Sequence, residues 1–288
     1  MHRGACVVAM TFVVAAVPAP ARAQGGSACN PSFASGVSEQ ALTSGGQARA
    51  YRLFVPPGYD GRRALPLVLD LHGSGGNADG QARTSGLETV AAREGIAVAT
   101  LVAVNALWNV PVQEDRADDV AYASDVIDHV AARVCIDRAR VYSTGFSGGA
   151  RMTSLLACRL GVRLAAVAPV AGLRWPAPCD GRPVPVLTFH GLADRQNTYE
   201  GGVEGRQGQW IESVPEALAG WAGHNGCDPT VTLEDPDGPL STMRYDGCVD
   251  DAEVRLIRID GLGHSWPRNE IDATEAMWEF FRRHRLTR

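Results

Sequence analysis

Arg140-Val141-Tyr142-Ser143-Thr144-Gly145-Phe146-Ser147-Gly148-Gly149 runs from an apolar, β-rich segment straight into an Ala/Met/Leu-rich helical pattern. Gly145, Ser147 and Gly149 occupy a G-x-S-x-G spacing within it. The spacing has a steric cause. A strand that turns at once into a helix strains the serine backbone, and side chains two residues to either side would collide; glycine at both flanks removes the collision. The bend lifts the serine hydroxyl above the sheet, and the next helix offers its N-terminal amides to developing negative charge. In a chain with 32 Gly such a spacing also arises by chance. The strand before it and the helix expected over residues 148–160 therefore carry the weight, and Ser147 is the candidate nucleophile.

Three further segments fall in the chain order this chemistry takes on such a sheet: oxyanion loop, serine, acid, histidine. Leu71-His72-Gly73-Ser74-Gly75-Gly76 follows an apolar strand, and its glycines let backbone N–H groups approach a substrate oxygen. The amides of Gly148 and Ser74 are assigned as oxyanion donors, with Gly73 or Gly75 as alternatives to Ser74. Phe189-His190-Gly191-Leu192-Ala193-Asp194 ends another strand. Asp194 is the acid expected to hold the imidazole in one tautomer, and His190 is read as a packed histidine. Gly261-Leu262-Gly263-His264-Ser265-Trp266-Pro267 follows a third strand and supplies His264 as general base and then general acid. Asp260 competes with Asp194 but is too close along the backbone to reach behind the His264 ring.

Outward from these motifs, β-rich runs alternate with helical spacing. Strands are expected over residues 51–55, 65–71, 96–101, 140–143, 165–170, 184–189 and 254–259. Helices are expected over 81–93, 118–132, 148–160, 214–224 and 273–284. Val120, Ala123, Ile127 and Val130 show the spacing of three and four that places apolar side chains on one helical face. Near-continuous apolar strands such as 65–71 imply burial on both faces, and hence a mostly parallel sheet flanked by helices on both faces. Residues 24–288 are read as one domain.

The 288 residues carry 45% hydrophobic and 20% charged side chains, which excludes disorder, collagen and coiled coil. The formal net charge is -5 and all 27 basic residues are Arg; with no basic run, no nucleic-acid partner is expected. Arg3, the apolar stretch 5–17, the breakers Pro18 and Pro20, and Ala21-Arg22-Ala23 read as a cleaved export signal over residues 1–23. The stretch is shorter than the ~20 residues a bilayer span needs, so no stable membrane insertion is expected after cleavage. The mature chain keeps Cys29, Cys135, Cys158, Cys179, Cys227 and Cys248, an even set that suggests disulfides in an exported protein. There is no C-x-x-C pair, and no metal site is expected.

Together these segments resemble the secreted family of feruloyl esterases and short-chain poly(3-hydroxybutyrate) depolymerases. The matching pieces include Leu71-His72-Gly73, Asp118-Asp119-Val120, Gly145-Phe146-Ser147-Gly148-Gly149, Leu156-Ala157-Cys158, His190-Gly191 with Asp194, Tyr199 with Gly201-Gly202, Asn225-Gly226-Cys227 and Gly263-His264-Ser265-Trp266-Pro267. The resemblance implies an α/β-hydrolase fold, a Ser147–His264–Asp194 triad, an acyl-enzyme route without metal or organic cofactor, and a small-molecule or oligomeric ester as partner. Trp108, Tyr199, Trp210 and Trp266 are candidates to line an apolar cleft, with Trp266 foremost. The helices before and after the nucleophile strand should end as neighbours, which predicts Cys135–Cys158. Cys227 and Cys248 flank one insertion and are expected to close it, leaving Cys29–Cys179. No binding module is visible after His264, which favours soluble or oligomeric esters over crystalline polyester.

Overall fold

The computed structural model describes residues 1–2, 33–202 and 211–287. The apolar stretch of the expected export signal, Cys29 and Trp210 lie outside the described residues. The strands are β1 (Gly36–Ser44), β2 (Gln47–Val55), β3 (Leu65–Leu71), β4 (Ala97–Leu101), β5 (Ile136–Phe146), β6 (Ala166–Val170), β7 (Val186–Gly191), β8 (Val231–Glu234), β9 (Leu240–Tyr245) and β10 (Val254–Ile259). The helices are α1 (Ala78–Ser85), α2 (Leu87–Glu94), α3 (Asp119–Ala131), α4 (Gly148–Leu160), α5 (Val214–His224) and α6 (Ala273–Phe281).

The strands form one sheet in the order β1-β2-β4-β3-β5-β6-β7-β10-β9-β8. From β4 to β10 every neighbouring pair is parallel, and antiparallel strands close both edges. All seven positions of β3 are buried. Leu67, Leu69 and Leu71 point to one face, where they meet Tyr122 and Val126 of α3, Met152 and Leu156 of α4 and Trp221 of α5. Val68 points to the other face, with Val90 of α2 and Met277 and Phe280 of α6. The period of two along the strand thus feeds two cores, each covered by helices, as the apolar runs imply.

Local signals set the element ends. Asp118 caps α3 by accepting from the Ala121 amide, and Ser213 and Glu216 form a reciprocal capping box at α5. The single helix expected over residues 81–93 is instead two. Gly86 breaks it at φ 62, capping the end of α1 and the start of α2. The strand expected over 51–55 is the second half of β2, but β1, β8 and β9, which complete the edge hairpins, were not expected, because many of their side chains are half-exposed and their apolar spacing is weak.

Two disulfides join described residues: Cys158–Cys179 and Cys227–Cys248. The second is the expected pair. The first corrects two expectations, Cys135–Cys158 and Cys29–Cys179. The loop after β6 passes back over the C-terminal end of α4 and brings Cys179 to Cys158. Cys135 is itself disulfide-bonded, though not to Cys158. The strand–helix order predicted the neighbourhood of the two helix ends but not which loop crosses it.

Candidate active site

Ser147 joins β5 to α4 at φ 53 and ψ -111, a left-handed conformation that costs a non-glycine residue of order 1–3 kcal/mol. Its amide is held by the Val170 carbonyl at 2.9 Å, so the next strand fixes the strained turn. A serine at a helix N-cap ordinarily spends its hydroxyl on the helix's own amides. Ser147 makes no such cap bond. The flanking glycines are sterically required. A Cβ on Gly145 would lie 2.6 Å from the Gly149 carbonyl carbon, and one on Gly149 would overlap the Leu71 carbonyl oxygen.

Asp194 and His264 reach the same end of the sheet from the loops after β7 and β10. The two loops pack backbone to backbone: the Ala193 amide donates to the Leu262 carbonyl at 3.0 Å, and a Cβ on Gly191 would overlap that same oxygen. His264 Nδ1 and Asp194 Oδ2 are 2.6 Å apart, with the carboxylate side chain fully buried. The other oxygen, Oδ1, accepts from the Gln196 and Asn197 amides at 2.8 and 2.9 Å. Burial pushes the Asp194 carboxyl up, but the hydrogen bonds from His264 and the Asn197 amide outweigh it and hold the group below the ordinary carboxylate range. The bond at Nδ1 turns Nε2 of His264 away from the carboxylate. The ring itself lies 4.9 Å, centroid to centroid, from Phe146, the residue before Ser147. No hydrogen bond joins Ser147 Oγ to the imidazole among the described residues, a looseness common in such sites before substrate binds. His190 stays buried, its Nε2 2.8 Å from the Asn197 carbonyl and 3.7 Å from Asp194 Oδ2; it packs behind the acid.

The oxyanion loop is narrowed by its own hydrogen bonds. The Gly75 amide donates to the Ala106 carbonyl at 2.8 Å and the Gly76 amide to the Gly73 carbonyl at 2.9 Å, which removes Gly75 from the candidate donors. Ser74 lies against Gly148, where an added Cβ would come 2.9 Å from the Ser74 nitrogen. The two assigned amides therefore belong to adjoining residues. His72 locks the loop from beneath. Its Nε2 accepts from the Ala103 amide at 3.1 Å, which makes Nδ1 the protonated nitrogen that donates to the Gly73 carbonyl at 2.8 Å. Burial lowers the His72 pKa and keeps this neutral tautomer.

The aromatic expectations need correction. Trp108, Tyr199 and Trp266 are only 3%, 8% and 7% exposed, so all three are packed rather than lining an open cleft. Trp108 donates from Nε1 to the His72 carbonyl at 2.7 Å and braces the oxyanion loop. Trp266 donates to Thr274 Oγ1 at 3.1 Å and anchors the histidine loop to α6. The Tyr199 ring lies in the core, with its hydroxyl 3.3 Å from Met243 Sδ. In a single sequence, an aromatic beside a catalytic motif reads the same whether it faces substrate or core. Arg151 was missed. Arg151 donates to Ser74 Oγ at 3.3 Å. Its position four residues after Ser147, on the same helical face, was the available signal. Among the described residues no cluster of His, Cys, Asp or Glu is suited to hold a metal ion, and no helix is long and apolar enough to cross a membrane.

Comparison with known proteins places the chain in a family. The family model described as esterase PHB depolymerase matches residues 49–177. A probable feruloyl esterase C of Aspergillus niger is 30% identical over 265 residues, covering 88% of each chain. Feruloyl esterase B of Piromyces equi is 30% identical over 227 residues, which span 73% of this chain but only 41% of that relative's length. The structure of an acetyl xylan esterase from Aspergillus awamori superposes with a TM-score of 0.61 at 15% identity, over 85% of this chain and 98% of the other, and shares the α/β-hydrolase fold. On the strength of this identity over most of both sequences, the chain belongs to the feruloyl esterase and PHB depolymerase family of esterases.

Proposed function

We propose that the protein is an exported serine carboxylesterase, feruloyl-esterase-like, which cleaves soluble or oligomeric esters through an acyl-enzyme. Residues 24–288 would form its single catalytic domain after removal of the signal segment 1–23. The observation that carries this reading is a strained serine elbow facing the same end of the sheet as a carboxylate–imidazole pair only 2.6 Å apart.

In this reading Ser147 Oγ attacks the ester carbonyl as His264 Nε2 takes its proton. The Gly148 and Ser74 amides receive the oxyanion, and Asp194 stabilises the imidazolium. The tetrahedral intermediate collapses with loss of the alcohol, which His264 protonates. Water, deprotonated by the same imidazole, then releases the acid and restores Ser147. The route uses no metal or organic cofactor. The relatives' names point to the substrate class, a feruloyl ester, and the family's description points to the alternative, poly(3-hydroxybutyrate) or its oligomers.

A hydrolysis panel tests this reading. Methyl ferulate, acetylated xylan, p-nitrophenyl esters of rising chain length and hydroxybutyrate oligomers are offered to the mature protein. Turnover of methyl ferulate, with a stoichiometric burst of p-nitrophenol from the activated esters, is the expected result. A folded protein that cleaves none of them overturns it.

A further inference from the structure

In a G-x-S-x-G turn the two named glycines meet the steric need, and the position after the serine is free to carry a side chain. Here that position is Gly148, and the oxyanion loop closes it. A Cβ on Gly148 would overlap Ser74 Oγ and would come 2.9 Å from the Ser74 nitrogen. The hydroxyl and the amide of Ser74 therefore stand together against the first residue of α4. Glycine at 148 leaves room for that hydroxyl. Ser74 is exposed and Ser147 is half-buried, so solvent reaches both.

A serine hydroxyl has one proton to donate and two lone pairs with which to accept. Arg151, one turn into α4, takes up one of the lone pairs: its guanidinium donates to Ser74 Oγ at 3.3 Å. A guanidinium can only donate, so in this bond the serine oxygen is the acceptor and its proton points elsewhere. Among the described residues no protein acceptor receives that proton. An ester bound at Ser147 would supply one, because its carbonyl oxygen turns negative when the serine adds to the carbonyl carbon. A hydroxyl that accepts a charge-assisted bond is also the stronger donor. Both effects come from the Arg151–Ser74 bond and hold whatever other groups the guanidinium contacts.

We propose that the Ser74 hydroxyl is a third oxyanion donor, a catalytic group beside the Gly148 and Ser74 amides, and that Arg151 is the positioning residue that turns its proton toward the substrate oxygen. The assignment rests on the esterase reading and adds a donor to the same site. In each addition step the carbonyl π pair moves onto the oxygen while His264 takes the proton of Ser147, or of water in the second half-reaction. The Ser74 hydroxyl keeps its own proton and only hydrogen-bonds to the negative oxygen. On collapse the pair re-forms the carbonyl, and the alcohol oxygen, or Ser147 Oγ in the second half-reaction, leaves with the proton from His264.

Ser74→Ala keeps the amide and removes only the hydroxyl. With p-nitrophenyl acetate, kcat and kcat/KM should fall together, on the order of 10²-fold, with KM nearly unchanged, as for a donor that acts only in the transition state. The inhibition constant of 1,1,1-trifluoro-2-octanone, a ketone to which a nucleophilic serine adds reversibly to leave an oxyanion, should rise by a similar factor. A merely structural role would not match the two losses. Arg151→Met should lower kcat/KM about 10-fold in the wild-type background, the worth of one hydrogen bond, and should cost nothing more in Ser74→Ala, because it acts through the hydroxyl. Folded Ser74→Ala with wild-type kcat/KM and inhibition overturns the third donor and leaves the esterase reading intact. An equal loss on Arg151→Met in both backgrounds overturns the positioning role. If the wild type cleaves no ester, the esterase reading fails and the third donor falls with it. Should Ser74→Ala not fold, Ser74→Cys, close in size and only a weak donor, makes the same comparison.

Discussion

Asp194→Asn should remove activity through the tautomer of His264, and the local hydrogen bonds determine which way the new amide faces. Asp194 Oδ1 is fixed by two backbone donors, the Gln196 and Asn197 amides at 2.8 and 2.9 Å. In the asparagine variant the carbonyl oxygen must stay at that position, because an NH2 group there would meet two N–H groups. The NH2 is therefore driven to the Oδ2 position, 2.6 Å from His264 Nδ1. Nδ1 then has to accept a hydrogen bond, the ring proton moves to Nε2, and the imidazole can no longer take the proton of Ser147. The shape of the site is unchanged, so the fold should survive with only the stability of one charge-assisted bond removed, about 1.5–3 kcal/mol. The expected loss in kcat for p-nitrophenyl acetate is on the order of 10⁴, the size seen when a triad acid becomes an amide. Circular dichroism and a melting curve verify folding, and initial rates give kcat. A folded variant within tenfold of the wild type would refute the role of the Asp194–His264 bond.

Two further substitutions probe the frame around the site. Asp70, fully buried on β3, accepts from Gln81 and Ser85 at 2.7 and 2.6 Å, yet burial pushes its carboxyl up to about 7. Its folded-state pKa thus exceeds the ~3.9 of an unfolded aspartate, so the folded state holds the extra proton between the two values and stability falls as pH rises through that window. The difference in unfolding free energy between Asp70→Asn and wild type should shift in the variant's favour from pH 4 to pH 8, by on the order of 4 kcal/mol; a pH-independent difference refutes a neutral buried carboxyl. Gly149→Ala would drive a Cβ into the Leu71 carbonyl oxygen at the junction of β3 and α4, with an expected cost of about 3 kcal/mol or more. An unchanged melting temperature would show that the elbow is not sterically tight.

The strained turn at Ser147 was legible in the sequence because its glycines answer a steric need that does not depend on distant packing. The gathering of the loop at residues 72–76, Asp194 and His264 was legible because each follows an apolar strand whose end marks the same edge of a parallel sheet. Long-range geometry was harder to see. The split at Gly86 hides in helical spacing that continues on both sides of it, since Leu87 and Val90 fit either one helix or two. Cys158 finds Cys179 because a loop crosses the end of α4, and no local pattern encodes that crossing. Trp108 and Trp266 sit next to the site motifs in sequence, yet they support the motif loops from within the cores.

The esterase reading stands or falls with Ser147 as a nucleophile activated by His264. A fluorophosphonate probe followed by intact mass and peptide mapping tests it most directly. One adduct per chain is expected, mapped to Ser147, absent from Ser147→Ala and strongly slowed in His264→Ala, with both variants folded. An adduct elsewhere, or none on a folded chain that still cleaves esters, would contradict it.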